Sequence, residues 1–288
     1  MKTTITPSLI LLAITLWACG GQTGKPTGRT ITVTIEPQRY LAEAIAGERF
    51  NIVCMVPKGS SPETYDPTPR QLAALAASEA YFRIGHIGFE TAWMEKLMEN
   101  APRTRIFDLS KGIELIHQEG HRHGDHYHAG GADPHIWNSA ANAKIMANNI
   151  FRALCTLDKS NEAYYAARRD TLINRINETD RIIFQTLKHA DHAFLIYHPT
   201  LSYFARDYGL HQICIEEDGK EPSSAQMKAL IEISRYEEVR VIFLQPEFDR
   251  RNAEIIAKET GARLVSIDPL SYQWHEEMIR IARSLTTP

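Results

Sequence analysis

The chain has 288 residues, 43% of them hydrophobic, and a formal net charge of −3. That is enough apolar material for one large core or two modest ones, and the charge, with no basic patch interleaved with aromatics, excludes nucleic acid as a partner and gives no pull toward anionic lipid. Four cysteines in a chain of this length also exclude a scaffold framed by disulfides.

The first residues read as an export signal. Lys2 supplies a positive start, and the apolar run Leu9 to Trp17, broken only by Thr15, is too short to span a bilayer. It ends Leu16-Trp17-Ala18-Cys19-Gly20, which resembles a bacterial lipobox, with residues 1–18 as signal peptide and Cys19 as the lipidated first residue of the mature chain. A diacylated cysteine carries two chains, enough for stable anchoring. Residues 19–29, rich in Gly, Thr and Lys, read as a flexible tether. Of the other cysteines, Cys54 and Cys214 fall within predicted strands, where they read as small buried apolar residues. Together with Cys155 they make an odd number, which leaves at least one thiol free.

From residue 30 apolar β-branched runs alternate with helical patterns. Strands are predicted at Ile31–Ile35, Asn51–Val56, Ala80–Ile84 and Thr104–Phe107. Helices are predicted from Pro37 to Ala46, Pro69 to Glu79 and Gly88 to Glu99. This βα repeat implies a mostly parallel sheet covered on both faces, a lobe spanning residues 30–138. The middle, residues 139–190, is helical throughout. Ser139–Leu157 forms one helix. Asn161–Lys188, without Gly or Pro and with Tyr165, Leu172, Ile173, Ile176, Ile183 and Leu187 at helical spacing, forms a second. At ~1.5 Å per residue the second runs roughly 40 Å and reads as a rigid strut. The βα pattern then resumes over residues 191–288, with strands at Ala193–Tyr197, Gln212–Ile215, Val239–Leu244 and Arg263–Ile267. The fold class is therefore α/β, with two lobes of mostly parallel sheet joined by one long helix.

Six of the twelve histidines lie between His117 and His135. His121, His123, His126 and His128 sit in a Gly-rich stretch, residues 117–131, which reads as a mobile loop able to collect metal. His121-x-His123-x-Asp125-His126 also matches the H-x-H-x-D-H run of metallo-β-lactamase-type hydrolases, in which a metal-bound hydroxide is the nucleophile. Its glycine flanks lack the rigid frame that catalysis needs, so the chain is not expected to be an enzyme.

Single residues at strand ends say more, because open α/β sheets bind ligands beyond the carboxyl ends of their strands. Glu63 lies in the loop after the second strand, His135 precedes the first middle helix, His198 follows Tyr197 at once, and Asp268 follows Ile267 at once. Two come from each side of the strut, and four N/O ligands would enclose one divalent cation.

At these residues the chain resembles the metal-binding solute-binding proteins of ABC transporters, the cluster that serves zinc, manganese and iron. The matching segments are Gly59-Ser-Ser-Pro62-Glu63-Thr-Tyr65-Asp66-Pro67-Thr-Pro69, Asp133-Pro-His135-Ile-Trp137, Tyr197-His198-Pro-Thr-Leu-Ser-Tyr203-Phe-Ala-Arg-Asp-Tyr208-Gly209-Leu210, Glu221-Pro-Ser-Ser-Ala-Gln226 and Gln245-Pro-Glu-Phe. The His-rich loop matches the zinc-uptake branch. The resemblance implies a monomeric, lipid-anchored extracytoplasmic receptor that passes Zn2+, or Mn2+ or Fe2+, to an ABC permease; a surface adhesin on the same scaffold is the other role it implies. One position departs: the family's first segment reads Pro-His-x-Tyr-x-Pro, its histidine a ligand, and here that position is Glu63. The oxygen makes the set harder, which favours manganese and iron(II) more than an imidazole would.

Overall fold

The computed structural model describes residues 28–117, 121–123, 126–128, 131–216 and 219–286. The signal, Cys19, the tether up to residue 27 and Asp125 lie outside them. The first lobe runs β1 (Thr30–Val33), α1 (Glu36–Ala46), β2 (Asn51–Cys54), α2 (Pro69–Ala76), β3 (Ala80–Arg83), α3 (Gly88–Asn100) and β4 (Arg105–Asp108). Its four strands are all parallel, in the order β2-β1-β3-β4. There follow a short antiparallel hairpin, β5 (His121–His123) and β6 (His126–His128), then α4 (Ala140–Leu157) and α5 (Glu162–Leu187). The second lobe runs β7 (Ala193–Ile196), α6 (Ser202–Tyr208), β8 (His211–Cys214), α7 (Ser224–Tyr236), β9 (Val241–Leu244), α8 (Arg251–Thr260), β10 (Arg263–Ser266) and α9 (Trp274–Ser284). Its order is β10-β9-β7-β8, again all parallel. The central strands Ala-Phe-Leu-Ile and Val-Ile-Phe-Leu are buried at every residue, as a parallel sheet covered on both faces requires.

The strut is a helix of 26 residues, but it does not hold two separate cores apart. It buries Tyr165, Leu172, Ile176 and Ile183 in one continuous apolar cluster, to which Ile31 and Phe82 contribute from the first sheet, Ile150 from α4, and Phe194, Phe243 and Trp274 from the second lobe. Smaller clusters cover the outer faces of each sheet. Polar bonds reinforce the junction. The Trp137 indole Nε1 donates to Pro269 O at 2.8 Å, and the Trp274 Nε1 donates to Trp137 O at 2.8 Å. Tyr203 Oη donates to Asp133 O at 2.7 Å and accepts from Ile116 N at 3.1 Å.

Cys54, Cys155 and Cys214 are all free thiols, half-buried rather than fully enclosed. Burial is the main cause that pushes the Cys54 and Cys214 thiols far above their ordinary range, so neither is a reactive thiolate.

One histidine far from the strand ends ties both lobes to the strut. His275, on α9 and 3% exposed, has Nδ1 2.7 Å from Thr179 Oγ1 on α5 and Nε2 2.6 Å from Tyr40 Oη on α1. Thr179 Oγ1 already donates to Arg175 O at 3.0 Å, so it accepts from His275 Nδ1–H, and Nε2 accepts from Tyr40. Burial, aided by the Arg175 charge, lowers the His275 pKa to about 4, whereas an unfolded histidine titrates near ~6.5. A folded pKa below the unfolded value gives stability that is complete above the unfolded pKa and lost as pH falls toward the folded one. Wild-type protein should therefore lose roughly 2 kcal/mol more than His275→Phe between pH 7 and pH 5. Urea unfolding of the two at both pH values measures this; parallel losses would refute the assignment.

Candidate metal centre

The strand-end residues do converge. Glu63, His135 and His198 each offer a ligand atom, and the three atoms lie within 4.8 Å of one another. Glu63 Oε1 and His135 Nε2 are 3.8 Å apart, and the two imidazole centroids 5.1 Å. Ligand atoms around a tetrahedral zinc are separated by about 3.4 Å, given bonds of ~2.1 Å, so small side-chain rotations close the set. The three line a cavity of about 20 Å³, room for a single small ion, together with Pro62, Trp137 and Pro269. Two of the converging atoms, Glu63 Oε1 and His198 Nε2, are buried and have no hydrogen-bond partner among the described residues. Buried polar atoms of this kind are costly unless something binds them.

Each ligand is held from behind. Glu63 lies in the β2–α2 loop, where Gly88 N, the first amide of α3, donates to Glu63 Oε2 at 3.0 Å. The amide at a helix N-terminus favours the carboxylate and leaves Oε1 turned to the cavity. Only glycine permits the approach, since a Cβ at residue 88 would come within 2.3 Å of Glu63 O. Glu90, buried two residues further on, holds that corner by accepting from Ile84 N at 2.8 Å and Gly85 N at 2.7 Å.

The two imidazoles share one arrangement. His135 Nδ1 lies 2.8 Å from Asp133 Oδ1, and His198 Nδ1 lies 2.6 Å from Glu216 Oε1. With a carboxylate on each Nδ1, that nitrogen carries the proton and Nε2 is left as the ligand. Burial works to raise the Asp133 carboxyl, but hydrogen bonds from the His135 ring and backbone outweigh it and hold Asp133 below its ordinary range. Burial works to lower His135, but the Asp133 hydrogen bond and charge, with Glu63 and Glu216 behind them, lift it above its usual value. That shift favours the protonated ring in the metal-free site, and a cation competes with that proton. Gln245 fixes the backbone of His198, with Nε2 donating to His198 O at 2.6 Å, and the Phe248 ring stacks on the imidazole at 5.3 Å.

Asp268 stands just outside this trio. Its Oδ1 accepts from Leu270 N at 3.2 Å, and its backbone N donates to Glu277 Oε1 at 2.7 Å, while its neighbours Pro269 and Leu270 line the cavity. Within the His-rich stretch two short segments pair as a hairpin. A bridge between His117 and Ala132 closes its base, and the hairpin register pairs His121 with His128 and His123 with His126. By strand alternation those four positions share one face of the ribbon. Sequence reasoning gave no role to Asp133, Glu216, Gln245 or Gly88. The signal available was position, since Glu216 stands two residues after β8 just as His198 stands two after β7.

A family model described as "Zinc-uptake complex component A periplasmic" matches residues 31–285. The manganese ABC transporter substrate-binding lipoprotein PsaA of Streptococcus anginosus is 27% identical over 271 residues, covering 88% of this chain and 84% of that protein. The iron ABC transporter substrate-binding lipoprotein MtsA of Streptococcus pyogenes serotype M1 is 25% identical over 268 residues, covering 89% and 84%. Among solved structures, the crystal structure of ZnuA superposes with a TM-score of 0.82 at 35% identity, covering 88% of this chain and 96% of that one. The chain belongs to the zinc-uptake component A family, the metal-binding substrate-binding proteins of ABC transporters.

If the two carboxylates set the ligand tautomers, Asp133→Asn and Glu216→Gln should each weaken metal binding by about 10- to 100-fold and leave the fold intact. Competition against a chromophoric chelator, with circular dichroism as the fold control, measures both. Unchanged affinity in either variant would remove that carboxylate from the site's machinery.

Proposed function

We propose that Glu63, His135 and His198, with Asp268 as the fourth ligand, hold one divalent transition-metal ion between the lobes, with Zn2+ as its first cargo. The convergence of two unpartnered buried atoms, one from each lobe, carries this reading. Both imidazoles are preset for Nε2 ligation, which suits zinc. Glu63 and Asp268 also admit manganese and iron(II). A carrier site needs no open coordination position, and the trio is enclosed by Pro62, Trp137 and Phe248, so the centre suits capture rather than hydrolysis. The protein acts outside the cytoplasm as the receptor of a metal ABC importer, anchored through lipid on Cys19, and hands the ion to the permease. It works as a monomer.

The hairpin histidines His121, His123, His126 and His128 form a weaker collecting site beside it. The bridge between His117 and Ala132 stands one residue before Asp133 and three before His135 in the chain. Because one core runs through both lobes and α5, loading changes ligand-bearing loops more than the relation of the lobes.

Metal content of the purified protein and of two variants tests this. His198→Ala should lose the tight equivalent and stay folded. Deletion of residues 120–131 should lose only weak equivalents. Loss of tight binding on deletion would make the hairpin the primary site. Small-angle scattering of metal-free and loaded protein should show no measurable compaction, and a large one would refute the rigid junction.

A further inference from the structure

Beyond the carboxyl end of each strand of the second sheet stands an ionisable side chain. His198 stands two residues beyond β7, Glu216 two beyond β8, Asp268 two beyond β10, and Glu247 three beyond β9. The strands are parallel and in register, with Ile196 beside Cys214 and Phe243, and Ser266 beside Leu244. Their ends therefore form one rim. Three of the four rim groups already have a place: His198 and Asp268 as ligands, Glu216 behind His198. Glu247 has none.

Glu247 lines the same cavity as Glu63, His135 and His198, and among the described residues no other acidic side chain outside that trio does. It is half-buried, and among the described residues the only donor its carboxylate meets is its own backbone N–H. Burial pushes its carboxyl upward, the Asp268 charge adds to this and the His198 charge opposes it, which places Glu247 within the field of both. Sequence neighbours on either side are committed to His198, since Gln245 binds its carbonyl and Phe248 stacks on its ring. The segment that carries Glu247 is thus anchored to a ligand.

We propose that Glu247 is a metal-contacting side chain that this centre uses for oxygen-preferring ions and leaves aside for zinc. The inference rests on the metal reading above. Zinc is satisfied by four ligands in a tetrahedron, which the reading above assigns to Glu63, His135 and His198 with Asp268 brought in from beside the cavity. Manganese and iron(II) favour oxygen donors, and octahedral coordination needs more than four. Glu247 supplies a further oxygen without displacing any of the four. A centre with this spare carboxylate takes up both classes of ion in one cavity, by changing coordination number rather than exchanging ligands.

The test is competition titration of the full mature chain with Zn2+ and with Mn2+, for the unsubstituted protein, Glu247→Gln and Glu247→Ala. X-ray absorption at each metal edge provides the second readout. Both variants should lose Mn2+ affinity by at least about tenfold, at least what loss of an outer carboxylate costs, and keep Zn2+ affinity within about threefold, roughly 0.7 kcal/mol. The manganese shell of Glu247→Ala should lose one oxygen and the zinc shell none. Equal losses for the two ions, or no loss for either, would overturn the role of Glu247 while leaving the centre standing. Absence of tight binding in the unsubstituted protein would overturn the centre itself, and the two failures are distinguished by that one control. Unchanged thermal unfolding of the metal-free variants is expected, because the carboxylate holds nothing else in place.

Discussion

The geometry of this centre depends on one indole. Trp137 stands two residues after His135, and its ring packs against that imidazole with centroids 5.3 Å apart. Its Nε1 reaches across the junction to the carbonyl of Pro269, next in sequence to Asp268. Its own carbonyl accepts from the other lobe's Trp274. The segment of His135 in the first lobe and the Asp268–Pro269 corner of the second are thereby fixed to each other by two buried hydrogen bonds. Each such bond is worth only about 1 kcal/mol net, but losing a partner inside the core costs more, since the orphaned group cannot return to water. The site is therefore defined by the junction rather than by either lobe.

The first lobe's contribution shows how a changed ligand is accommodated. Where the motif that this segment resembles has a histidine, Glu63 offers two oxygens. One is consumed by the Gly88 amide, which leaves a single anionic oxygen facing the cavity. The second oxygen does what a carboxylate does behind a histidine ligand: it fixes the orientation of the donor atom. Glu63 is in effect its own positioning group, and Gly88 is the residue that makes this arrangement sterically feasible.

Much of the architecture was legible in the chain because βα alternation and helical periodicity are local. The strands fall within two residues of where the apolar runs place them, and Glu63, His135 and His198 could be picked out because ligands gather at strand ends. What could not be read was long-range. Nothing near Glu216 in the acidic run Glu216-Glu-Asp distinguishes it from a solvated charge, and its bond to His198 exists only because β7 and β8 are neighbours. The single core was hidden for the same reason, since the sequence allowed one core or two and only the packing of α5 decides. The His-rich stretch was read as a loop on its glycines, but Arg122 pairing with Tyr127 and the histidines with one another make it a ribbon. Asp268, placed by the same strand-end logic, is not among the three converging groups, and its Oδ1 accepts from Leu270 N.

The staple of Tyr40, Thr179 and His275 joins the first helix to the last through the strut. Segments 235 residues apart must meet before it closes. A chain that emerges amino-terminus first therefore cannot finish its interior until α9 arrives, and contacts of such long span form slowly. With the ligand set proposed above, half-delivered chains hold an incomplete centre, because His198 and Asp268 both lie in the part that comes last. On that proposal, maturation of the protein and acquisition of its metal are ordered in time: the ion is captured only after the whole polypeptide has crossed to the side where the ion is.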